Sequence, residues 1–159
     1  MNLKIQVLYG TETGNAEMVA DDIVDALAGS AEIEAHDMSK FAADALDPST
    51  LYIVVCSTYG DGELPNSAQP FYAKLGELRP DLSGLRFATF GLGDSFYSTY
   101  NNGSQIIAER LLELGAQSVG ERGLHDASSG LLPGDVAVQW ARELIEGLQL
   151  GTVEAAIVS

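Results

Sequence analysis

Positive charge is what this chain has least of. Its 159 residues carry 8 Lys and Arg against 23 Asp and Glu, a formal net charge of −15. A surface of that sign repels nucleic acid and anionic membranes, and it speeds encounter with basic protein partners. Cysteine is almost absent: Cys56 stands alone, so no internal disulfide can form and a reducing compartment is the expected setting. It falls in the apolar run Leu51-Tyr52-Ile53-Val54-Val55-Cys56, where a thiol is expected to be buried and inert. No uninterrupted apolar stretch approaches the roughly 18 residues that a membrane helix needs. A strand pattern begins straight after Met1-Asn2, which leaves no room for a signal peptide and makes the cytoplasm the expected location. The two histidines, His36 and His125, read as surface loop residues. No Ser/His/Asp set, metal-ligand cluster or buried carboxylate pair can be assembled from the pattern, so no catalytic nucleophile or metal site is expected.

The rest of the composition, 46% hydrophobic and 19% charged, is that of a folded protein. Residues 1–150 read as one domain, and the tail 151–159 fits no element. Strand and helix patterns alternate without repeats or linkers. Leu3 to Tyr9 predicts a first strand. Ala16, Val19, Ala20, Ile23 and Leu27 then recur at helical spacing, with Glu17, Asp21, Asp22 and Asp25 on the water face. Gly29 is placed to cap that helix at its C-terminus. Ile33 and Ala35 alternate with Glu32, Glu34 and His36, the pattern of an edge strand. A short helix is expected over Ser39 to Leu46, before the Asp47-Pro48 turn. Leu51 to Cys56 is apolar throughout, as a central strand buried on both faces requires. A helix carrying Ala68, Phe71, Tyr72 and Leu75 follows, then a strand from Leu85 to Phe90. A helix with Ile107, Leu111 and Leu114 stops at Gly115, ahead of a strand from Gln117 to Glu121. The last helix starts near Pro133 and turns Val136, Trp140, Leu144 and Leu148 inward, with Trp140 in a packing role.

Such alternation demands an α/β fold with a parallel sheet. A weak second strand beside apolar first, third and fourth strands fits a five-stranded doubly wound sheet in the order 2-1-3-4-5, with helices on both faces. That order places a ligand at the carboxyl ends of strands one and three, where the winding reverses. Three glycine-rich loops follow strands one, three and four and converge on that edge. The first, Gly10-Thr11-Glu12-Thr13-Gly14-Asn15-Ala16, runs into a helix N-terminus. Backbone N–H groups, the helix dipole and the side chains of Thr11, Thr13 and Asn15 make it an anion cradle. It lacks the Gly-Lys-Ser/Thr of a Walker A loop, and its glycines miss the dinucleotide spacing. A neutral cradle for one terminal phosphate remains, with an ordinary threonine-capped turn as the competing reading. The other loops, Ser57-Thr58-Tyr59-Gly60-Asp61-Gly62 and Gly91-Leu92-Gly93-Asp94 continuing to Tyr97, Tyr100 and Asn101, set tyrosines beside glycines. Rings on two sides form a slot for a flat fused ring, each stacked pair contributing about 0.5–1.5 kcal/mol beyond burial. Exposed loop tyrosines are the alternative. Asp126, in Gly123-Leu124-His125-Asp126 after strand five, comes near the same edge.

Together, Tyr9 through Glu17, Ser57 through Gly62, and Gly91-Leu92-Gly93-Asp94 with Tyr97 and Asn101 resemble the flavodoxin family. The likeness is closest to the FMN domains of diflavin reductases and to the small MioC-type flavodoxins, and it covers nearly the whole chain. It implies bound FMN, with the phosphate in the first loop and the isoalloxazine ring between Tyr59 and Tyr97. The cofactor-binding residues it implies are Thr11, Glu12, Thr13, Gly14, Asn15, Ala16, Ser57, Thr58, Tyr59, Gly60, Gly62, Gly91, Leu92, Gly93, Asp94, Tyr97, Tyr100, Asn101 and Asp126. Many free-standing flavodoxins have a hydroxyl residue where this chain has Ala16, whereas diflavin-type domains tolerate alanine there.

The resemblance further implies a monomeric electron carrier rather than an enzyme. If the chain is a whole protein rather than a domain of a longer reductase, its electrons are expected from a separate NAD(P)H-dependent flavoprotein reductase and go to a redox acceptor protein, both with basic docking faces. An FMN-dependent NAD(P)H:quinone oxidoreductase of the same fold is the alternative, but it needs a pocket built by long insertions that this chain is too short to hold. A receiver-type signalling domain needs a catalytic Asp and an acidic cluster at strand ends where Tyr9-Gly10 and Ser57-Thr58 stand. Asp61, Glu63 and Asp94 would crowd the negative charge of fully reduced FMN, unless solvent screens them. A glycine at position 60 makes a reoriented peptide inexpensive, so its carbonyl can turn toward ring atom N5 on reduction. Gly60→Ala is therefore expected to narrow the separation of the two one-electron potentials; an unchanged separation in a redox titration contradicts this.

Overall fold

Each strand pattern finds a parallel neighbour, and each helix covers one face of the resulting sheet. The computed structural model describes residues 3–11, 14–29, 31–57, 64–93, 102–119, 123–126 and 131–150. In chain order these form β1 (Leu3–Gly10), α1 (Asn15–Leu27), β2 (Ala31–Asp37), two single 3-10 turns (Met38–Lys40 and Ala43–Ala45), β3 (Leu51–Ser57), α2 (Gln69–Leu78), β4 (Arg86–Gly93), α3 (Asn102–Glu113), β5 (Gln117–Ser118), β6 (Gly123–Asp126) and α4 (Pro133–Leu150). All pairings are parallel, in the order β2-β1-β3-β4, and both β5 and β6 pair with β4. This is the expected 2-1-3-4-5 winding, with the fifth position shared by two short segments.

The central strand explains the two layers. Leu51, Ile53 and Val55 point to one face, where Ala16, Val19, Ala20, Ile23 and Leu27 of α1 and Ala137, Ala141, Leu144 and Ile145 of α4 bury against them. Tyr52, Val54 and Cys56 point to the other, against Phe71 and Leu75 of α2 and Ile107 and Leu111 of α3. A strand covered on both faces needs apolar residues at every position, which is why this run lacks alternation. Trp140 is partly buried against the first of these clusters, its ring centroid 5.4 Å from that of Phe90. Packing is its role among the described residues.

Several boundaries differ from the sequence expectation. The stretch Ser39 to Leu46 is two separate 3-10 turns, not one helix. Asp37 starts the first by accepting from the Ser39 N–H at 2.8 Å, and extended Phe41 and Ala42 separate it from the second. Gly29 does not cap α1, whose C-cap is Ala28 in right-handed geometry. Gly115, at φ 106°, does end α3: its N–H reaches the Leu112 carbonyl and that of Ala116 reaches Leu111, both at 3.1 Å. Gly91-Leu92-Gly93 is not loop but the end of β4, because pairing with β3 on one side and β6 on the other overrides the weak strand preference of glycine. His36 lies on β2, as the edge-strand alternation expected, its ring 5.5 Å from that of Phe41.

The largest correction concerns 123–126, expected as a loop and found as a strand. A Cβ on Gly123 would lie 2.5 Å from the Phe90 ring and 2.8 Å from the Trp140 ring. The strand thus passes against two aromatic rings at a point where only glycine fits. Gly123→Ala is expected to destabilise the fold by about 2 kcal/mol through overpacking. Gly134→Ala, where the added methyl meets only the carboxylate end of the Asp22 side chain, serves as the control and loses far less. Chemical denaturation of the two variants checks this, and equal midpoints contradict it.

Candidate functional site

Parallel strands bring all their carboxyl ends to one edge, and the register shows how level that edge is. Gly10 stands opposite Cys56, Cys56 opposite Gly91, and Gly91 opposite Leu124. One residue on, Ser57, Leu92 and His125 form the next row, and Gly93 faces Asp126 beyond it. The segments that begin at residues 11, 58, 94 and 127 therefore leave the sheet within a few residues of one level. Between β1 and β3 the connections diverge, α1 packing on one face and α2 on the other. A crevice opens at such a switch point.

The first loop is held by bonds that the sequence did not advertise. Thr11 N–H donates to Ser67 Oγ at 2.7 Å, and the Thr11 carbonyl accepts from the Ser67 N–H at 3.4 Å. This reciprocal pair ties the loop to the turn before α2. Thr11 Oγ1 accepts the Gly14 N–H at 2.8 Å, so this hydroxyl oxygen organises the loop while its own O–H remains able to donate. Gly14 then adopts φ 97°, a left-handed geometry that favours glycine. It caps α1 without any side-chain bond, and the first helical bond is Met18 N–H to the Gly14 carbonyl at 3.1 Å. The N–H groups of Asn15, Ala16 and Glu17 consequently have no acceptor inside the helix. Gly10 has a different reason for being glycine: a Cβ there would come 2.7 Å from Ala68 Cβ. Its carbonyl accepts from Ser57 Oγ at 3.4 Å, linking the ends of β1 and β3.

The electrostatics of this edge are negative. No Lys or Arg occurs in residues 5–39, 41–73 or 87–109. Burial, and then the carboxylates of Glu17, Asp37 and Asp21, hold the Tyr9 phenol above its ordinary pKa. The Cys56 thiol, fully buried, is pushed up to about 12 by desolvation, which makes it the inert core thiol expected. Among the described residues no group of three His, Cys, Asp or Glu side chains could hold a metal ion. Among them, too, no helix is long and apolar enough to cross a membrane.

Of the residues singled out from the sequence, Thr11, Gly14, Asn15, Ala16, Ser57, Gly91 and Leu92 all lie at this edge. Ala16 and Leu92 are buried in the core cluster with α1 and α4, so their side chains pack while their backbones lie at the strand-end level. Gly93 and Asp126 are placed as facing strand backbone. Glu12, Thr13, Thr58, Tyr59, Gly60, Gly62, Asp94, Tyr97, Tyr100 and Asn101 lie outside the described residues, as do Asp61 and Glu63. Two residues were missed. Ser67 gives no local sign of its long-range bond to Thr11. His125, expected at the surface, is only 7% exposed, with Nε2 2.7 Å from the Leu131 carbonyl; its signal, a polar residue following a glycine that admits close packing, becomes readable only once 123–126 is known to be a strand.

The flavodoxin family model matches residues 7–140. The chain is 38% identical over 133 residues to the NADPH–cytochrome P450 reductase of Homo sapiens, a match covering 80% of this chain and 20% of that protein. It is 33% identical over 147 residues to the NADPH sulfite reductase flavoprotein alpha-component of Bacillus subtilis, covering 91% of this chain and 24% of the relative. It thus spans about a fifth to a quarter of the length of these curated relatives. Among solved structures, a cysteine-to-serine mutant of flavodoxin from Pseudomonas aeruginosa superposes with a TM-score of 0.81 at 32% identity, covering 92% of this chain and 99% of that one. Oxidised flavodoxin 1 from Bacillus cereus gives 0.77 at 29% identity, covering 90% and 97%. With the sheet order, the level strand ends and these matches in agreement, the chain belongs to the flavodoxin family and is an FMN-binding electron-transfer domain.

Proposed function

We propose that this protein is a one-electron carrier rather than an enzyme. It takes electrons from a separate NAD(P)H-dependent flavoprotein reductase and passes them to an acceptor protein. The observation that supports this most is the start of α1. There, at the switch point of the sheet, Asn15, Ala16 and Glu17 leave their N–H groups without helical acceptors behind a left-handed Gly14. These donors and the helix dipole suit a terminal phosphate at a loop, residues 10–16, that itself carries no Lys or Arg. The residues present therefore fit the phosphate end of FMN.

In this reading Thr11, Glu12, Thr13, Gly14, Asn15 and Ala16 surround the phosphate. Ser57, Thr58, Tyr59, Gly60 and Gly62 line one side of the ring. Gly91, Leu92, Gly93, Asp94, Tyr97, Tyr100 and Asn101 line the other, and Asp126 borders its edge. FMN, when bound, supplies a ring that accepts and releases electrons one at a time. The chain's own part is to orient that ring, keep water from one side of it, and surround it with negative charge that disfavours its anionic form. A carrier needs no nucleophile, and the buried Cys56 and the packed His125 offer none at the edge.

Two measurements test the reading. In the first, the FMN-loaded protein is mixed with NADPH, alone and with a catalytic amount of an NADPH-dependent flavoprotein reductase. The visible spectrum is expected to change only when the reductase is present; stoichiometric NADPH oxidation by the protein alone contradicts the carrier role. In the second, Thr11→Val, which removes the acceptor for the Gly14 N–H, is expected to weaken FMN binding about tenfold, while Thr11→Ser keeps it within about threefold. Equal affinities for the two variants contradict the assigned role of Thr11.

A further inference from the structure

β6 is an edge segment with little to recommend it as a strand. Its four residues, Gly-Leu-His-Asp, include no β-branched residue and no Phe, Tyr or Trp, and β4 is its partner in the sheet. Two devices hold it. At one end Gly123 packs against the rings of Phe90 and Trp140. At the other, His125 lies beside Leu92 in the register, is 7% exposed, and has Nε2 2.7 Å from the carbonyl of Leu131. A carbonyl only accepts, so Nε2 carries the proton. The bond joins the sheet to the chain just ahead of Pro133, the first residue of α4. Its position is what gives it consequence. His125 immediately precedes Asp126, and Asp126 faces Gly93 at the level edge of the sheet.

We propose that His125 is a positioning residue for the cofactor: through its bond to the Leu131 carbonyl it fixes the strand end that presents Gly93 and Asp126 to the flavin. The inference rests on the FMN site proposed above and assigns this side chain a role that packing alone would not require. A leucine of similar bulk would fill the space; it would not hold Leu131. The donor, rather than the volume, is what sets the geometry on the far side of the ring.

His125→Gln, His125→Leu and His125→Asn separate these effects. Glutamine places an amide N–H where Nε2 stands, leucine fills the volume without a donor, and asparagine keeps a donor that stops short. FMN affinity is read by quenching of flavin fluorescence, and the midpoint potentials of FMN-saturated protein by redox titration. His125→Leu and His125→Asn are expected to bind FMN about tenfold more weakly, with altered potentials, and His125→Gln to stay within about threefold of the parent. If His125→Leu fails to fold, the comparison of Gln with Asn carries the test. Affinities and potentials unchanged in all variants overturn the proposal, as does an equal loss in Gln and Asn, which marks a packing role. Parent protein that binds no FMN overturns the cofactor site itself, an outcome separated from the others by the titration of the unaltered chain.

Discussion

An anion at the start of α1 has to be held chiefly by backbone N–H groups, because residues 5–39, which include β1, the first loop and all of α1, contain no Lys or Arg. The constraint is severe. A protein of net charge −15 repels a phosphate at long range, and only donors held at contact distance offset that. A lysine on a flexible stem tolerates loose placement; three orphan amides at a helix start do not. The local architecture follows from this demand. Gly14 adopts the left-handed geometry that turns the chain into α1, Thr11 commits its side-chain oxygen to the Gly14 N–H, and Ser67 braces Thr11 from the neighbouring turn. These bonds do not touch an anion themselves. They fix the amides that would.

The same logic runs through the sheet. Each of the central strands is packed on both faces, so a shift of the edge would disturb two cores at once. That rigidity holds the carboxyl ends of four strands near one level. It weakens toward the outer side, where β6 is short and poor in strand-forming residues. There the structure relies on individual contacts: glycine against two rings, and a buried imidazole on a carbonyl.

Much of this was legible in the chain because it is carried by local periodicity. The α1 stripe of Ala16, Val19, Ala20, Ile23 and Leu27 is buried as its 3.6-residue spacing requires, and the uniform apolar run of β3 marks a doubly covered strand. The order of the sheet followed from relative strand hydrophobicity, and with it the point between β1 and β3 where the winding reverses. What escaped was set by partners distant in sequence. Gly91 to Gly93 and Gly123 to Asp126 look like loops until β4 and β6 are laid side by side, since glycine carries no strand signal of its own. His125 reads as a surface residue because nothing nearby announces the Leu131 carbonyl. Ser67 gives no sign of Thr11, 56 residues away. The 3-10 turns replaced a helix because the buried Met38 and Ala43 anchor too little surface to sustain one.

The dependence on backbone donors can be measured by titrating the apoprotein with FMN and with riboflavin, which lacks the phosphate, from low to high ionic strength. A cradle of amides without cations predicts that FMN binds at least about tenfold more tightly than riboflavin, and that its affinity holds or rises as salt screens the surrounding carboxylates. Equal affinity for the two flavins, or FMN binding that collapses as salt is added, contradicts it.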